Sequence, residues 1–148
     1  MNDPDDVKLI SRYLSKNHVL ALCAHAEGDI WSANCFYVTD VERMCLYFMT
    51  ELKTRHGSLM HKNPQVVGTI ATQPKTIALI KGIQYSGTAT LLEGEEDKVG
   101  RALYCKHFPV AIAMKAPVWQ LQLNEIKMTD NTLGFGKKLM WKREIRTN

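Results

Sequence analysis

The feature that most constrains this chain lies at residues 44–64, MCLYFMTELKTRHGSLMHKNP, where an apolar segment gives way abruptly to a basic one. Residues 44–50 are almost wholly apolar and rich in aromatic side chains, a pattern that fits a strand buried on both faces and therefore central in its sheet. Thr54, Arg55 and His56 then open a short helical pattern through Leu59 and Met60, which Asn63 and Pro64 stop. A buried strand feeding a helix start is expected. The first N–H groups of a helix lack internal partners and carry partial positive charge. With Lys53, Arg55 and His56 beside them, they make a concave, donor-rich end suited to phosphate. The same residues also describe a basic helix start that only faces solvent, and the pattern by itself allows both.

The flanking sequence has the punctuation of a small β protein. Asn2 or Asp3 can cap a helix over residues 3–16, with Pro4 at its first position, Asp5 and Asp6 opposing its dipole, and Val7, Ile10 and Leu14 at helical spacing. Residues 18–26 read as a strand, and Glu27, Gly28 and Asp29 as a hairpin turn. In residues 30–39, Trp31, Ala33, Cys35 and Tyr37 take one face and Ser32, Asn34, Phe36 and Val38 the other. Asn34 sits between apolar neighbours, so if buried it needs a hydrogen bond from the protein or from a ligand.

Residues 65–72 form a further β-branched run, and residues 77–93 a longer strand interrupted by Gly82 and Gly87, with Gly94 just beyond. Glycines at such places mark sharp bends and bulges, which a small barrel needs. Val99, Leu103 and Phe108 restore helical spacing over residues 93–108, Pro109 ends that helix, and residues 110–114 have room for one more turn. Trp119, Leu121 and Leu123 alternate with polar residues, but Ile126 and Met128 continue in the opposite phase, which predicts a bulge near Asn124. Asp130 and Asn131 turn the chain toward a last strand within residues 133–141, after Gly134 and Gly136, and a basic end follows. Six or seven strands and three helices are expected.

Composition narrows what such a domain does. A chain of 148 residues fits one domain, residues 1–148, able to remove roughly 70% of its unfolded surface from water. No apolar run approaches the ~20 residues of a spanning helix, and the N-terminus is acidic where a secretory signal is basic, so a cytoplasmic protein without membrane association is expected. Cys23, Cys35, Cys45 and Cys105 show neither a CxxC pair nor paired spacings, which fits reduced, mostly buried thiols. A net charge of +4, scattered rather than striped, argues against nucleic acid.

Standard catalytic motifs are missing. His18, His25, His56, His61 and His107 have no HxxxH or HExxH spacing, no Cys/His set has zinc spacing, and Ser58 is outside any GxSxG elbow, so no metal site and no catalytic residue is assigned. GFGKK at residues 134–138 precedes a strand rather than a helix and reads as hairpin glycines. Trp31, Trp119 and Trp141 read as core, with stacking on a ring system as the other use.

The order of these pieces carries a resemblance. A leading helix, strands ending in LYFMT, the segment KTRHGSLMHKNPQVVGTIA and the glycine-bearing strand IKGIQYSGTATLLEG resemble the pyridoxamine-phosphate-oxidase-like FMN-binding split barrels over nearly the whole chain. Residues 52–56 and 124–138 further resemble the bacterial family called YhbP-like. The resemblance implies a mainly β fold with flanking helices: a six-stranded antiparallel split β-barrel. It also implies a homodimer with FMN at the subunit interface and its phosphate near the basic helix start. Carried over by residue, Thr50, Lys53, Thr54, Arg55 and His56 match the phosphate-binding stretch, and Asn34 falls on the strand that lines the flavin ring. Where the pyridoxamine oxidases place a flavin-contacting glutamine, the register set by Gly87 puts Gly82, with Gln84 two residues on and on the same strand face. His56 stands where a lysine is usual, and the segments that hold pyridoxal phosphate are missing, so that oxidase activity is not expected. Two function classes are implied: an FMN-dependent oxidoreductase acting on a small molecule, and a non-catalytic binder or sensor of flavin, haem or another planar ligand on the same dimer.

Overall fold

The computed structural model describes residues 1–145; the end of the expected basic tail lies outside them. Helix α1, Pro4–Lys16, begins at Asp3, whose carboxylate accepts the Asp5 N–H, and presents Ile10, Tyr13 and Leu14 to the interior. Strands β1 (Val19–Ala26) and β2 (Asp29–Asp40) follow as a hairpin whose turn residues Glu27 and Gly28 both have positive φ, of 51° and 80°, the geometry that matches strand twist. Strand β3, Cys45–Met49, is buried at every residue. It is hydrogen-bonded on both sides, to β2 and to β6, as the apolar run required.

Helix α2 (Arg55–Lys62), β4 (Gln65–Ala71), β5 (Lys81–Leu91), α3 (Gly94–His107), β6 (Val118–Asp130) and β7 (Lys138–Lys142) complete the chain. The antiparallel order β3-β2-β1-β4-β5-β6 closes on itself through β3 and β6, which gives a six-stranded barrel. β7 is a seventh strand, paired to the second half of β6 along the flank whose first half holds β3. The barrel interior holds Leu20, Leu22, Leu46, Phe48, Ile70, Ile83, Trp119 and Leu121, joined by Ile10 and Leu14 of α1 and by Leu59 and Met60 of α2. A smaller apolar cluster, with Val38, Tyr47, Tyr104 and Val118, lies under α3.

The bulge falls where the phase change predicted it. Ser86 faces Glu125 but Gly87 faces Leu123, so Asn124 is the extra residue. Its amide spans the irregularity to Thr88 Oγ1 at 3.0 Å. Gly68 serves a different purpose: the Tyr85 hydroxyl passes over it to donate to Ala21 O at 2.8 Å, and a Cβ there would stand 2.0 Å from that same carbonyl oxygen.

Three expectations are corrected. Residues 77–79 form a 3₁₀ turn, not the start of β5, because the Asn131 amide and N–H bond Ile77 O and Ile80 O. The last strand begins at Lys138, after Gly134 and Gly136 as expected, and the turn before it is a 3₁₀ turn at Asn131–Leu133 capped by Asp130. On α3 the buried face is Gly100 and Tyr104, while Val99 is exposed. Trp119 and Trp141 are core, but Trp31 is 49% exposed because β2 runs past the barrel's end there.

Candidate ligand site at the start of helix α2

Helix α2 closes one end of the barrel and begins where β3 leaves it. Thr54 is its N-cap: the hydroxyl accepts the Gly57 N–H at 3.0 Å and donates to Glu51 O at 2.7 Å. A Cβ on Gly57 would stand 2.2 Å from Glu51 O, so this tight entry requires glycine. The Ser58 N–H bonds Thr54 O. Among the described residues this leaves the N–H groups of Arg55 and His56 unclaimed, the orphan donors of a helix start.

Three of the expected residues converge here. Thr50 Oγ1 lies 2.6 Å from His56 Nε2, and Thr54 Oγ1 lies 3.4 Å from the same nitrogen. Thr50 is buried and fixed from behind, since Trp119 Nε1 donates to its carbonyl at 3.2 Å. Burial lowers the His56 pKa from its ordinary 6.5, so at neutral pH the ring brings hydrogen bonding rather than charge. Lys53 is exposed beside this cluster.

Arg55 turns the other way. Its guanidinium grips Asp29 through Nε to Oδ2 at 3.1 Å and Nη2 to Oδ1 at 2.5 Å, and lies 4.1 Å from the Trp31 ring centroid. Phe48 pairs with Tyr37, which sets Thr50 level with Cys35, and Asp29 is six residues further along β2. That is roughly 20 Å at the rise of a strand. The sequence marks Asp29 only as a turn residue and Trp31 as core or a stacking ring, and ties neither to Arg55, since the Arg55–Asp29 contact spans 26 positions and joins a hairpin turn to a helix start.

Asn34 is exposed on the outward face of β2, so the requirement that a buried amide find a partner does not arise in the single chain. Gln84 is exposed on the same outward face of the sheet. The row between them runs Asn34, Ala21, Thr69, Gln84, three strand spacings or roughly 14 Å. Gln84 also lines a groove of about 500 Å³ with Thr69, Ala71, Ile80 and Gly82. At the other end of β2 a cleft of about 460 Å³ has walls of Phe36 and Phe108 and carries His18 and His107. Its rings are mutually packed: His18 lies nearly parallel to Phe36, and Phe36 meets Phe108 edge-on. No group of three or more metal-ligating side chains occurs among the described residues, nor is any helix there long and apolar enough to cross a membrane.

No family model matches the chain. Solved structures with the same fold include a heme binding protein from Mycobacterium smegmatis (TM-score 0.78, 17% identity, 96% of this chain). This chain spans only 60% of that protein's length. Another is a putative pyridoxamine 5'-phosphate oxidase from Listeria innocua (TM-score 0.68, 14% identity, covering 82% of this chain and 96% of that one). With the closed six-stranded ring, these likenesses show that the fold is a split β-barrel of the kind those two proteins have. The sequence relatives are more specific. A UPF0306 protein of Photorhabdus laumondii is 59% identical over 143 residues, 97% of this chain and 100% of that one. One of Yersinia enterocolitica is 61% identical over 143 residues, 97% of each chain. The chain belongs to the UPF0306 family.

Proposed function

We propose that the protein is a cytosolic homodimer that binds FMN, with the phosphate at the start of α2 and the ring along the outward face of β2, and that it serves as a flavin-dependent oxidoreductase for a small molecule. The observation that carries this reading is the cluster of Thr50, Thr54 and His56 beside the two unclaimed N–H groups of α2. The Thr50 hydroxyl, an imidazole and helix-start N–H groups are donors a phosphate accepts from, while Thr54, whose O–H is given to Glu51 O, holds the helix start in place. When bound, the flavin supplies the electron or hydride transfer, while the protein binds and orients it. The closer likeness to the YhbP-like family belongs to this reading.

The same surface supports dimerisation. Val19, Ile30, Phe36 and Val67 expose 38%, 63%, 54% and 55% of their area on the outward face of β1, β2 and β4. Neighbouring exposed apolar side chains of this kind mark interaction surfaces. A two-fold contact there offers the partner subunit's Gln84 to the ring, a role that the roughly 14 Å between Asn34 and Gln84 makes awkward within one chain.

A second reading is favoured by the aromatic cleft beside β2, where His18 and His107 are exposed. It is a non-catalytic holder of haem, the ligand named for the mycobacterial protein of the same fold. Absorbance spectra of the purified protein, before and after adding FMN or hemin, separate the two. A flavin band with FMN retained through gel filtration supports the first reading, and a haem band lost in His18→Ala or His107→Ala supports the second. Failure to retain either ligand counts against both.

A further inference from the structure

We propose that Asp29 is the selectivity element of this site: it holds Arg55 against Trp31 in the free protein, so that a phosphate dianion, but not a carboxylate, draws the guanidinium to the start of α2. This rests on the reading of Arg55 as a phosphate ligand. Asp29 occupies the Nε and Nη2 edge of the guanidinium, one of the two edges through which arginine binds phosphate in paired fashion. A ligand carboxylate that replaced it would exchange one carboxylate contact for another. A dianion carries more charge on more acceptor oxygens, so it alone gains by the exchange.

The contact is built to be given up. Both side chains are about half exposed, 50% and 42%, and exposed ion pairs hold weakly. Helix α2 does not depend on it, because Leu59 and Met60 are buried in the barrel core and the Asn63 amide bonds His25 O at 3.0 Å, tying the other end of the helix to the same hairpin. The positive-φ turn at Glu27 and Gly28 sets Asp29 where Arg55 meets it. The hydrogen bond to Arg55 holds the Asp29 carboxyl below its ordinary 3.8, so the pair stays ionised at neutral pH and the exchange is of one anion for another.

Trp31 reports on this directly, because Trp119 and Trp141 are 1% and 7% exposed and Trp31 alone of the three is open to solvent. Acrylamide quenching of tryptophan emission is followed in the full-length wild-type protein during titration with inorganic phosphate and, separately, acetate at matched ionic strength. Phosphate should raise Trp31 quenching as the guanidinium leaves, and acetate should not. Asp29→Asn should show the raised quenching without any anion and bind FMN about fivefold more tightly, as expected when a weak surface pair no longer has to be broken. Unchanged quenching at saturating phosphate overturns the proposal, as does an equal response to acetate. Weaker FMN binding by folded Asp29→Asn also overturns it, since Asp29 then merely positions Arg55. The wild-type titration stands if Asp29→Asn does not fold. A response to phosphate without any binding of FMN sinks the flavin reading and leaves the exchange standing.

Discussion

Thr50 Oγ1 and His56 Nε2 stand 2.6 Å apart, joining the end of the buried strand β3 to the first turn of α2. Burial of that imidazole sets how this end of the barrel responds to acid. Burial lowers the His56 pKa below its unfolded 6.5, so the folded chain resists protonation there. The stability this contributes is complete above pH 6.5 and is lost as the pH falls toward the folded pKa. Melting temperature measured from pH 8 to pH 5 should therefore drop on the acid side, and His56→Gln should flatten that drop. Identical slopes in the two proteins would show that His56 does not titrate in this way.

Arg55→Ala should weaken FMN about ten- to hundredfold, the usual loss when a charged donor to phosphate is removed. Riboflavin has the same ring without the phosphate, and its weaker binding should be nearly unchanged. Titration of both ligands by flavin fluorescence, on folded wild-type and mutant protein, makes the comparison. Equal FMN affinity in the two proteins would leave Arg55 only its tie to Asp29 and Trp31.

Light scattering at micromolar concentration should return the mass of two chains. Phe36→Glu puts a charge into the exposed apolar face of β1, β2 and β4, so it should yield a folded monomer that no longer retains FMN. A Phe36→Glu protein that remains a dimer moves the interface elsewhere on the molecule.

Gly68→Ala tests the packing between β1, β4 and β5. The added methyl meets Ala21 O and the Tyr85 hydroxyl, groups that are hydrogen-bonded to each other. Overpacking of this kind costs about 1–3 kcal/mol, and more where only backbone can yield. Tyr85→Phe removes the hydrogen bond without the clash and should cost about 1 kcal/mol. Urea unfolding that ranks Tyr85→Phe as the more damaging change would contradict this.

The cysteines should be chemically quiet. All four are free thiols, and Cys35 and Cys45 are buried. Burial pushes the Cys35 thiol up to about 11 and raises that of Cys45 as well. Both should react with a thiol reagent at pH 8 only after unfolding, and replacing all four with Ala or Ser should leave ligand binding within severalfold. Loss of binding in one folded single mutant would expose a role for that thiol.

Much of the barrel was legible because strand burial leaves a period in the sequence. The apolar run at residues 45–49, the Asp3 cap and the bulge at Asn124 are local consequences of hydrophobic spacing and side-chain chemistry. The basic start of α2 and its Thr54 cap were legible for the same reason. What propensity could not supply are the places where distant residues decide. Asn131 imposes a 3₁₀ turn on residues 77–79 from across the fold. Trp31 looked like core because its neighbours alternate correctly, yet β2 extends beyond the barrel at that point. Asp29 read only as a turn residue, and its hold on Arg55 depends on where the hairpin meets α2. Asn34, flanked by apolar residues, is exposed because Ala33 and Cys35 face the core while Asn34 shares with Phe36 the outward face that a single chain leaves open.

Strand β7 is the last member of the sheet, and its outer flank is occupied by the opposite terminus. The Asn2 amide both donates to Lys142 O and accepts the Lys142 N–H, at 2.8 Å each, while Asp6 accepts the Met140 N–H at 3.2 Å. Two side chains thus imitate a neighbouring strand and hide a ladder that would otherwise recruit one from another molecule. Shortening the N-terminus by six residues, or fusing a tag that pulls Asn2 away, would bare that ladder while leaving most of the barrel core in place. The outcome to watch for in such chains is sticky edges, with filaments or precipitate formed by molecules that are still folded.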